Sequence, residues 1–397
     1  MNRRVTLDSR RASGHAGDVP VRVVLSPADR AVDELIRVLG QRGHVVIGPR
    51  LRDGAIVLDE VDGVGSLPVG WTDEQEAATY RVHRRDDRSL FAYAVGPQSP
   101  RRFLSAPHKT LWSAQRIDGG FELVDDATPE PPPYAFIGVR ACELAAIAVQ
   151  DRVLRDGPYP DPSYVRARER AFFVGVNCGS PAATCFCTSM GTGPAVEAGH
   201  DLVATELLDG IRHELVVEVG TERGAEVLAD VRSVVSSRPA TDADLGAARQ
   251  VVAESVVRMT RRLEPRVARD VLMTNLEHPR WDDVAQRCLS CTNCTLVCPT
   301  CFCTAVEDVS SLDGDRAERV QRWDSCFTLG HSMLHGAGSV RGDTRSRYRQ
   351  WLTHKLGTWW DQFGESGCVG CGRCIAWCPA GIDLTEEVAA IAQEDHP

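Results

Sequence analysis

The chain has 397 residues, 43% hydrophobic and 25% charged, a balance that excludes a fibre or a disordered polymer and leaves room for two or three cores. Its net charge of -10 and pI near 5.6 argue against a nucleic-acid partner, which calls for a basic face. Lys109 and Lys355 are the only lysines among 45 basic residues, a pattern that codon usage explains as readily as function.

Residues 1–20 carry charge but no apolar stretch, so they read as a flexible tail and not as a secretory signal. No apolar run approaches the ~20 residues that a membrane helix needs. Even Tyr134 to Val149 is interrupted by Arg140 and Glu143. A cytoplasmic location with no membrane partner is expected. From Val21 a β/α alternation begins, with VRVVLS as strand, residues 31–40 as helix and HVVIG as the next strand. YRVHR, LFAYAV, YAFIGV, AFFVGVN and HELVVEV read as further strands, and Ala141 to Leu154 as a helix. Together these predict an α/β domain over residues 21–240, whose strand order the sequence leaves open. Asp242 to about Asp270 predicts one long helix within a linker over 241–280. The expected fold class is therefore α+β: an N-terminal α/β domain, a helical linker and a cysteine-rich, two-cluster ferredoxin-like domain over 281–397, interrupted by a long insertion.

Fifteen cysteines carry most of the information. An odd number cannot pair completely, and a reducing cytosol disfavours disulfides. None occurs before Cys142 or between Cys187 and Cys288, and such clustering points to metal ligation. Two runs stand out, Cys288-Leu-Ser-Cys291-Thr-Asn-Cys294-Thr-Leu-Val-Cys298-Pro299 and Cys368-Val-Gly-Cys371-Gly-Arg-Cys374-Ile-Ala-Trp-Cys378-Pro379. Both are C-x2-C-x2-C-x3-C-P, the bacterial ferredoxin run in which the fourth cysteine serves the other cluster. Cys288, Cys291, Cys294 and Cys378 are thus assigned to one 4Fe-4S cluster, and Cys368, Cys371, Cys374 and Cys298 to a second. Structural zinc sites use separated C-x2-C pairs or cysteine with histidine, so zinc fits these runs poorly. The second run is richer in glycine, at Gly367, Gly370 and Gly372. Closer backbone N–H approach to sulfur would raise its potential relative to the first.

Seven cysteines remain. Cys142 follows the strand YAFIGV at a helix start, where the dipole favours a thiolate. Cys178 follows AFFVGVN, and Cys185-Phe-Cys187 would place two side chains on one side of an extended loop. Strands ending at one sheet edge would bring these four together as a third 4Fe-4S site, with structural zinc or unligated thiols as the alternatives. Cys301, Cys303 and Cys326 lie in the insertion between the twin runs. They could hold another cluster with His331, Asp324 or water as fourth ligand, or equally be buried or redox-sensing thiols. The pentapeptide TCFCT occurs twice, at 184–188 and 300–304. His331 and His335, at helical i,i+4 spacing, read as a solvated or hydrogen-bonded pair, and the five tryptophans from Trp323 to Trp377 as packing. No Rossmann, Walker or nucleophile-elbow motif is present, so no flavin is assigned to this chain and the hard chemistry belongs to another subunit.

GVRACELAA, NCGSPAATCFCTSMGTGP, CLSCTNCTLVCPTCFCT, RWDSCF, His354-Lys355 and GCVGCGRCIAWCPAGIDL together resemble one family across about Val21 to Leu384. It is the beta subunit of cytosolic NAD(P)-linked nickel–iron hydrogenases, or sulfhydrogenases, related to the electron-transfer subunit of anaerobic sulfite reductase. The resemblance implies electron transfer between a hydrogenase small subunit and a flavin subunit that handles NAD(P), in a heterotetramer whose large subunit oxidises or evolves hydrogen. This chain departs from the family at GHSMLHG, where relatives read G-H-N-F-R. An anaerobic sulfite reductase component is the alternative in the same class. A redox-sensing or zinc-stabilised binding protein is the alternative from another.

Overall fold

The computed structural model describes residues 21–124, 130–336 and 338–393; the expected tail over 1–20 lies outside them. Strand β1 (Arg22–Ser26) leads into helix α1 (Ala28–Gln41), then β2 (Val45–Arg52) and β3 (Ala55–Glu60). Helix α1 buries Ala28, Ala31, Val32, Ile36 and Leu39, one stripe at helical spacing. A hairpin of β4 (Trp71–Glu76) and β5 (Thr79–Arg84), the short α2 (Arg101–Leu104), and a second hairpin of β6 (His108–Ile117) and β7 (Gly120–Val124) follow. Next come β8 (Tyr134–Val139), α3 (Ala141–Leu154), α4 (Pro162–Arg170), β9 (Phe172–Val176) and α5 (Cys187–Met190). The region closes with β10 (Leu202–Leu208), β11 (His213–Val219), α6 (Glu222–Arg232) and β12 (Ser236–Pro239). Eight of these strands form one mixed sheet in the order β12-β1-β11-β10-β9-β8-β2-β3.

The centre of that sheet positions chemistry. β8 and β9 pair in parallel, Ala135 opposite Phe172 through Val139 opposite Gly175. Both therefore end at the same edge, where α/β proteins place their ligands. Their buried residues, among them Phe136, Ile137, Phe172 and Val174, read as continuous apolar runs because helices and loops cover both faces.

LFAYAV is not a strand. Its residues are buried, Leu90 completely, but its backbone partners are side chains. Glu206 accepts the N–H groups of Leu90 at 2.7 Å and Phe91 at 3.0 Å, and Asp73 accepts that of Ala94 at 2.7 Å. Arg140 donates to the carbonyls of Phe91 and Tyr93 at 2.7 and 2.8 Å. Burial explains the apolar composition, and these polar side chains replace the ladder that a strand would need.

The expected helix over 242–270 is two, α7 (Asp242–Arg258) and α8 (Pro265–Thr274). Pro265 opens the second helix, and Glu264 before it is extended, as a residue preceding proline tends to be. Within the break, Met259 is wholly buried, with its sulfur 3.7 Å from Cys187 Sγ. Arg261 donates to Asp383 at 2.6 Å.

The chain continues through α9 (Arg280–Arg287), α10 (Asn293–Leu296), β13 (Thr304–Ser310) and β14 (Arg316–Trp323). It then forms α11 (Thr344–Thr353), a π-helical turn over His354–Thr358, α12 (Trp359–Phe363), α13 (Arg373–Ala376) and α14 (Leu384–Gln393). The β13–β14 hairpin joins the earlier one in a sheet of order β13-β14-β6-β7. The insertion between the twin cysteine runs is thereby anchored on the N-terminal region. Trp281, Leu352, Leu356 and Ile375 form a second core at full burial. Among the described residues no helix is long and apolar enough to cross a membrane.

Glu206→Ala removes the acceptor of two buried N–H groups. We expect it to cost about 2–4 kcal/mol, read as a lower unfolding midpoint in denaturant; an unchanged midpoint would show that the 89–94 segment is held by packing alone.

Candidate metal centres

The two cysteine runs share one backbone. Ser290 and Thr292 in the first adopt φ of 50° and 67°, and Gly370 and Gly372 at the corresponding places in the second adopt 64° and 75°. Each loop ends in a single helical turn, α10 or α13, that carries the third cysteine, Cys294 or Cys374. Asn293 of the first run donates to the Trp377 carbonyl of the second at 2.5 Å. Left-handed serine and threonine are uncommon, so the loop shape is imposed by the run itself.

Glycine in the second run answers a steric demand. A Cβ on Gly370 would stand 2.7 Å from the backbone of Phe186 and Cys187, and one on Gly372 would stand 2.4 Å from the Thr184 carbonyl. One N–H contact of the kind expected from the sequence is present, Gly370 N–H to Cys368 Sγ at 3.4 Å. The larger reason for these glycines is that the 184–188 loop packs directly onto the second run. Phe186 N–H donates to the Gly370 carbonyl at 2.8 Å, and Thr192 Oγ1 donates to that of Val369 at 2.7 Å.

The thiols fall into four neighbourhoods. Cys288, Cys291, Cys294 and Cys378 line one cavity, and Cys374 lines it too. Cys374 has Cys368, Cys371 and Cys298 as its electrostatic neighbours. The fourth cysteine of each run thus stands with the first three of the other. At the sheet edge, Cys185 neighbours Cys178, Cys187 and Cys371, while Cys142 neighbours Cys187 and Cys371. Cys187 opens the short helix α5, so Cys185 and Cys187 do not sit on an extended loop; Cys142 is the second residue of α3. Finally, Cys303 neighbours Cys326, and the Cys301 thiol hydrogen-bonds to Cys298. The second TCFCT leads into β13 and the first into α5, so the repeated pentapeptide serves two different local structures. His331 and His335 do not share a helix. His331 sits in a 3-10 turn with Nδ1 2.9 Å from Asp324, and His335 in the turn between two-residue strands.

At Cys298 the hydrogen bond from Cys301 and the Lys355 charge hold the thiol well below its ordinary range, but burial governs the other thiols. It pushes the thiols of Cys142, Cys185, Cys294 and Cys374 well above their ordinary range, and pushes Cys187 up to about 12 and Cys368 to about 11. At Cys142 burial outweighs the helix dipole that the sequence suggested. These thiols become good ligands by losing protons to a metal. Lys355, in the π-helical turn, is wholly enclosed and donates to Cys298 Sγ at 3.2 Å, Thr300 Oγ1 at 2.7 Å and the Gly367 carbonyl at 3.1 Å. Arg101 is buried over the Trp323 ring at 3.6 Å and donates to the carbonyls of Thr295 and Cys298. Among the described residues neither cation has a carboxylate partner. Arg373 of the second run does have one: its guanidinium meets Glu143, next to Cys142, at 2.5 Å with both side chains enclosed.

The donor set fits 4Fe-4S clusters. Buried cations without carboxylates call for a nearby anion, and a thiolate-ligated cluster is one. Tyr348 Oη, Trp351 Nε1 and Trp359 Nε1 are buried donors without partners among the described residues. Tyr348 and Trp351 line the cavity of the first group, where cluster sulfur would accept from them. No three His, Cys, Asp or Glu side chains among the described residues converge on a single-ion site, whereas zinc would gather four donors within ~2.3 Å of one point.

Sequence reasoning overlooked Lys355, Arg101, Tyr348 and the Arg373–Glu143 pair. Lys355 was visible as one of two lysines in an arginine-rich chain and as part of the His354-Lys355 motif, but not as a partner of Cys298. The other, Lys109, forms an ion pair with Asp161 at 2.6 Å.

Comparison with known proteins agrees with this chemistry. Residues 287–382 match the model of the 4Fe-4S dicluster domain, so this part of the chain is a domain for two 4Fe-4S clusters. Sulfhydrogenase 2 subunit beta of Pyrococcus furiosus is 31% identical over 315 residues, spanning 77% of this chain and 87% of that subunit.

Arg373→Met leaves Glu143 a lone buried carboxylate. We expect a loss of about 3–5 kcal/mol in anaerobic denaturation, partly recovered in Arg373→Met/Glu143→Met; equal stability of the single variant and the native chain would contradict this.

Proposed function

The chain belongs to the sulfhydrogenase beta-subunit family, and we propose that it is the iron–sulfur wire of a cytoplasmic nickel–iron hydrogenase complex. It carries electrons between a hydrogenase small subunit, beside the hydrogen-activating large subunit, and a separate flavin subunit that reacts with NAD(P). The division into residues 21–240, 241–280 and 281–397 belongs to the same reading.

Cys288, Cys291, Cys294 and Cys378 would hold one 4Fe-4S cluster, and Cys368, Cys371, Cys374 and Cys298 the second. Cys142, Cys178, Cys185 and Cys187 would hold a third. A bound cluster of this kind supplies a site that gains and loses one electron. The protein's own residues do the rest. Tyr348, Trp351 and Phe327 line the first group, and Lys355 and Arg101 place positive charge beside the second. That charge favours the reduced state, so the second cluster is expected at the higher potential.

The observation that carries the proposal is contiguity. Cys371 of the second run neighbours Cys142, Cys185 and Cys187, and Cys185 Sγ lies 3.9 Å from the Cys371 carbonyl. Cys374 also lines the cavity of the first group. The second run thus touches both of the other groups. The first group opens to solvent at Cys291 and at Leu289, which is 67% exposed, and offers a contact face for a redox partner.

Cys185→Ser tests this in the intact complex. One cluster, about four irons, should be lost, and hydrogen-dependent NAD(P) reduction should fall more than tenfold (about 1.4 kcal/mol or more). Hydrogen oxidation with an artificial acceptor at the large and small subunits should persist. Unchanged iron, or unchanged NAD(P) reduction, would refute the third site as part of the wire.

A further inference from the structure

The last three cysteines lie at the end of the β13–β14 hairpin. Thr304 pairs with Trp323, and Asp324 N–H donates to the Cys303 carbonyl at 2.9 Å. The ladder therefore delivers the segments 301–303 and 324–326 to one place, and Cys303 and Cys326 become electrostatic neighbours. Gln150 of α3 fixes the first segment by donating to the carbonyls of Pro299 at 2.8 Å and Cys301 at 3.3 Å. Between the segments is a cavity of about 130 Å³ whose wall includes Cys301, Cys303, Cys326, His331, Lys355 and Trp359.

We propose that this cavity is a further iron–sulfur site, a 4Fe-4S cluster held by Cys301, Cys303, Cys326 and His331 Nε2. Three observations carry it. His331 stands in the cavity wall with Nδ1 2.9 Å from Asp324. A carboxylate on one ring nitrogen is the arrangement that orients the other toward a metal. Asp324 is itself fixed by Thr328 Oγ1 at 2.8 Å. The cavity also has a cationic wall, with Lys355 and Arg341 lining it and Arg101 beside Cys301 and Cys303, surroundings that favour an anionic cluster. Third, Trp359 lines the cavity and is 2% exposed, and its Nε1 has no partner among the described residues, leaving a donor for a bridging sulfide.

The site abuts both clusters of the dicluster domain. The Cys301 thiol hydrogen-bonds to Cys298, and Cys326 neighbours Cys294. It therefore lies beside the junction of those two clusters and not at the sheet edge. A histidine ligand in place of cysteine raises the potential, so this cluster would hold an electron more readily than its cysteine-ligated neighbours.

Native mass spectrometry of the full chain, reconstituted anaerobically with iron and sulfide, tests the proposal. Wild type should carry four clusters, and Cys303→Ser/Cys326→Ser one fewer. Cys185→Ser should lose a different one, identified by EPR, so a failure of the sheet-edge site is told apart from a failure here. His331→Cys should retain all four clusters and shift one EPR signal to lower midpoint potential. That result decides the matter if the double variant misfolds and loses several clusters. The proposal is overturned if wild type carries no cluster that Cys303→Ser/Cys326→Ser removes, if a single zinc ion occupies the place, or if His331→Cys leaves every EPR midpoint unchanged.

Discussion

Inside the protein the Arg373 guanidinium meets the Glu143 carboxylate at 2.5 Å. Arg373 lies between Cys371 and Cys374 of the second cysteine run, and Glu143 lies next to Cys142 at the start of α3. The same guanidinium donates to the carbonyls of Gly96 at 2.7 Å and Gln98 at 2.8 Å, closing the irregular segment over the site. A buried ion pair of this kind gives little net stability. What it fixes is register, since Cys371 and Cys142 become neighbours only if these two helix starts dock as they do.

A second constraint follows from burial. Thiols enclosed this deeply resist ionisation, while Lys355 and Arg101 are cations enclosed beside them. Cys298 is the exception: the hydrogen bond from Cys301 and the Lys355 charge hold its thiol well below the ordinary range, so a thiolate faces Lys355 before any cluster is bound. Cluster binding would extend that pairing, because each further ligand gives up a proton and adds anionic charge beside the cations. The same cations would stabilise reduced clusters. Folding, cluster retention and redox potential would then depend on one set of residues.

The sequence made the grouping of the cysteines legible because their spacing is local. The twin runs, the grouping of their fourth cysteines and the strands before Cys142 and Cys178 could all be read from short segments. β8, α3 and β11 stand where hydrophobic pattern placed them. What escaped depended on distant partners. LFAYAV has strand composition, yet Glu206, Asp73 and Arg140 supply its hydrogen bonds. The break at Met259 answers to Cys187, and the glycines at 370 and 372 answer to a loop almost two hundred residues earlier. The β13–β14 hairpin looked like an insertion because its partner strand β6 comes long before it. His331 and His335 had helical spacing, but the turn containing His331 is set by Asp324.

The proposed wire is a row of three clusters with the second cysteine run in the middle. Anomalous diffraction at the iron edge, from anaerobically grown crystals, tests it directly. It should place iron within Cys288/Cys291/Cys294/Cys378, within Cys368/Cys371/Cys374/Cys298, and within Cys142/Cys178/Cys185/Cys187, in that spatial order. Absence of iron from the sheet-edge group, or a zinc signal there, would contradict it.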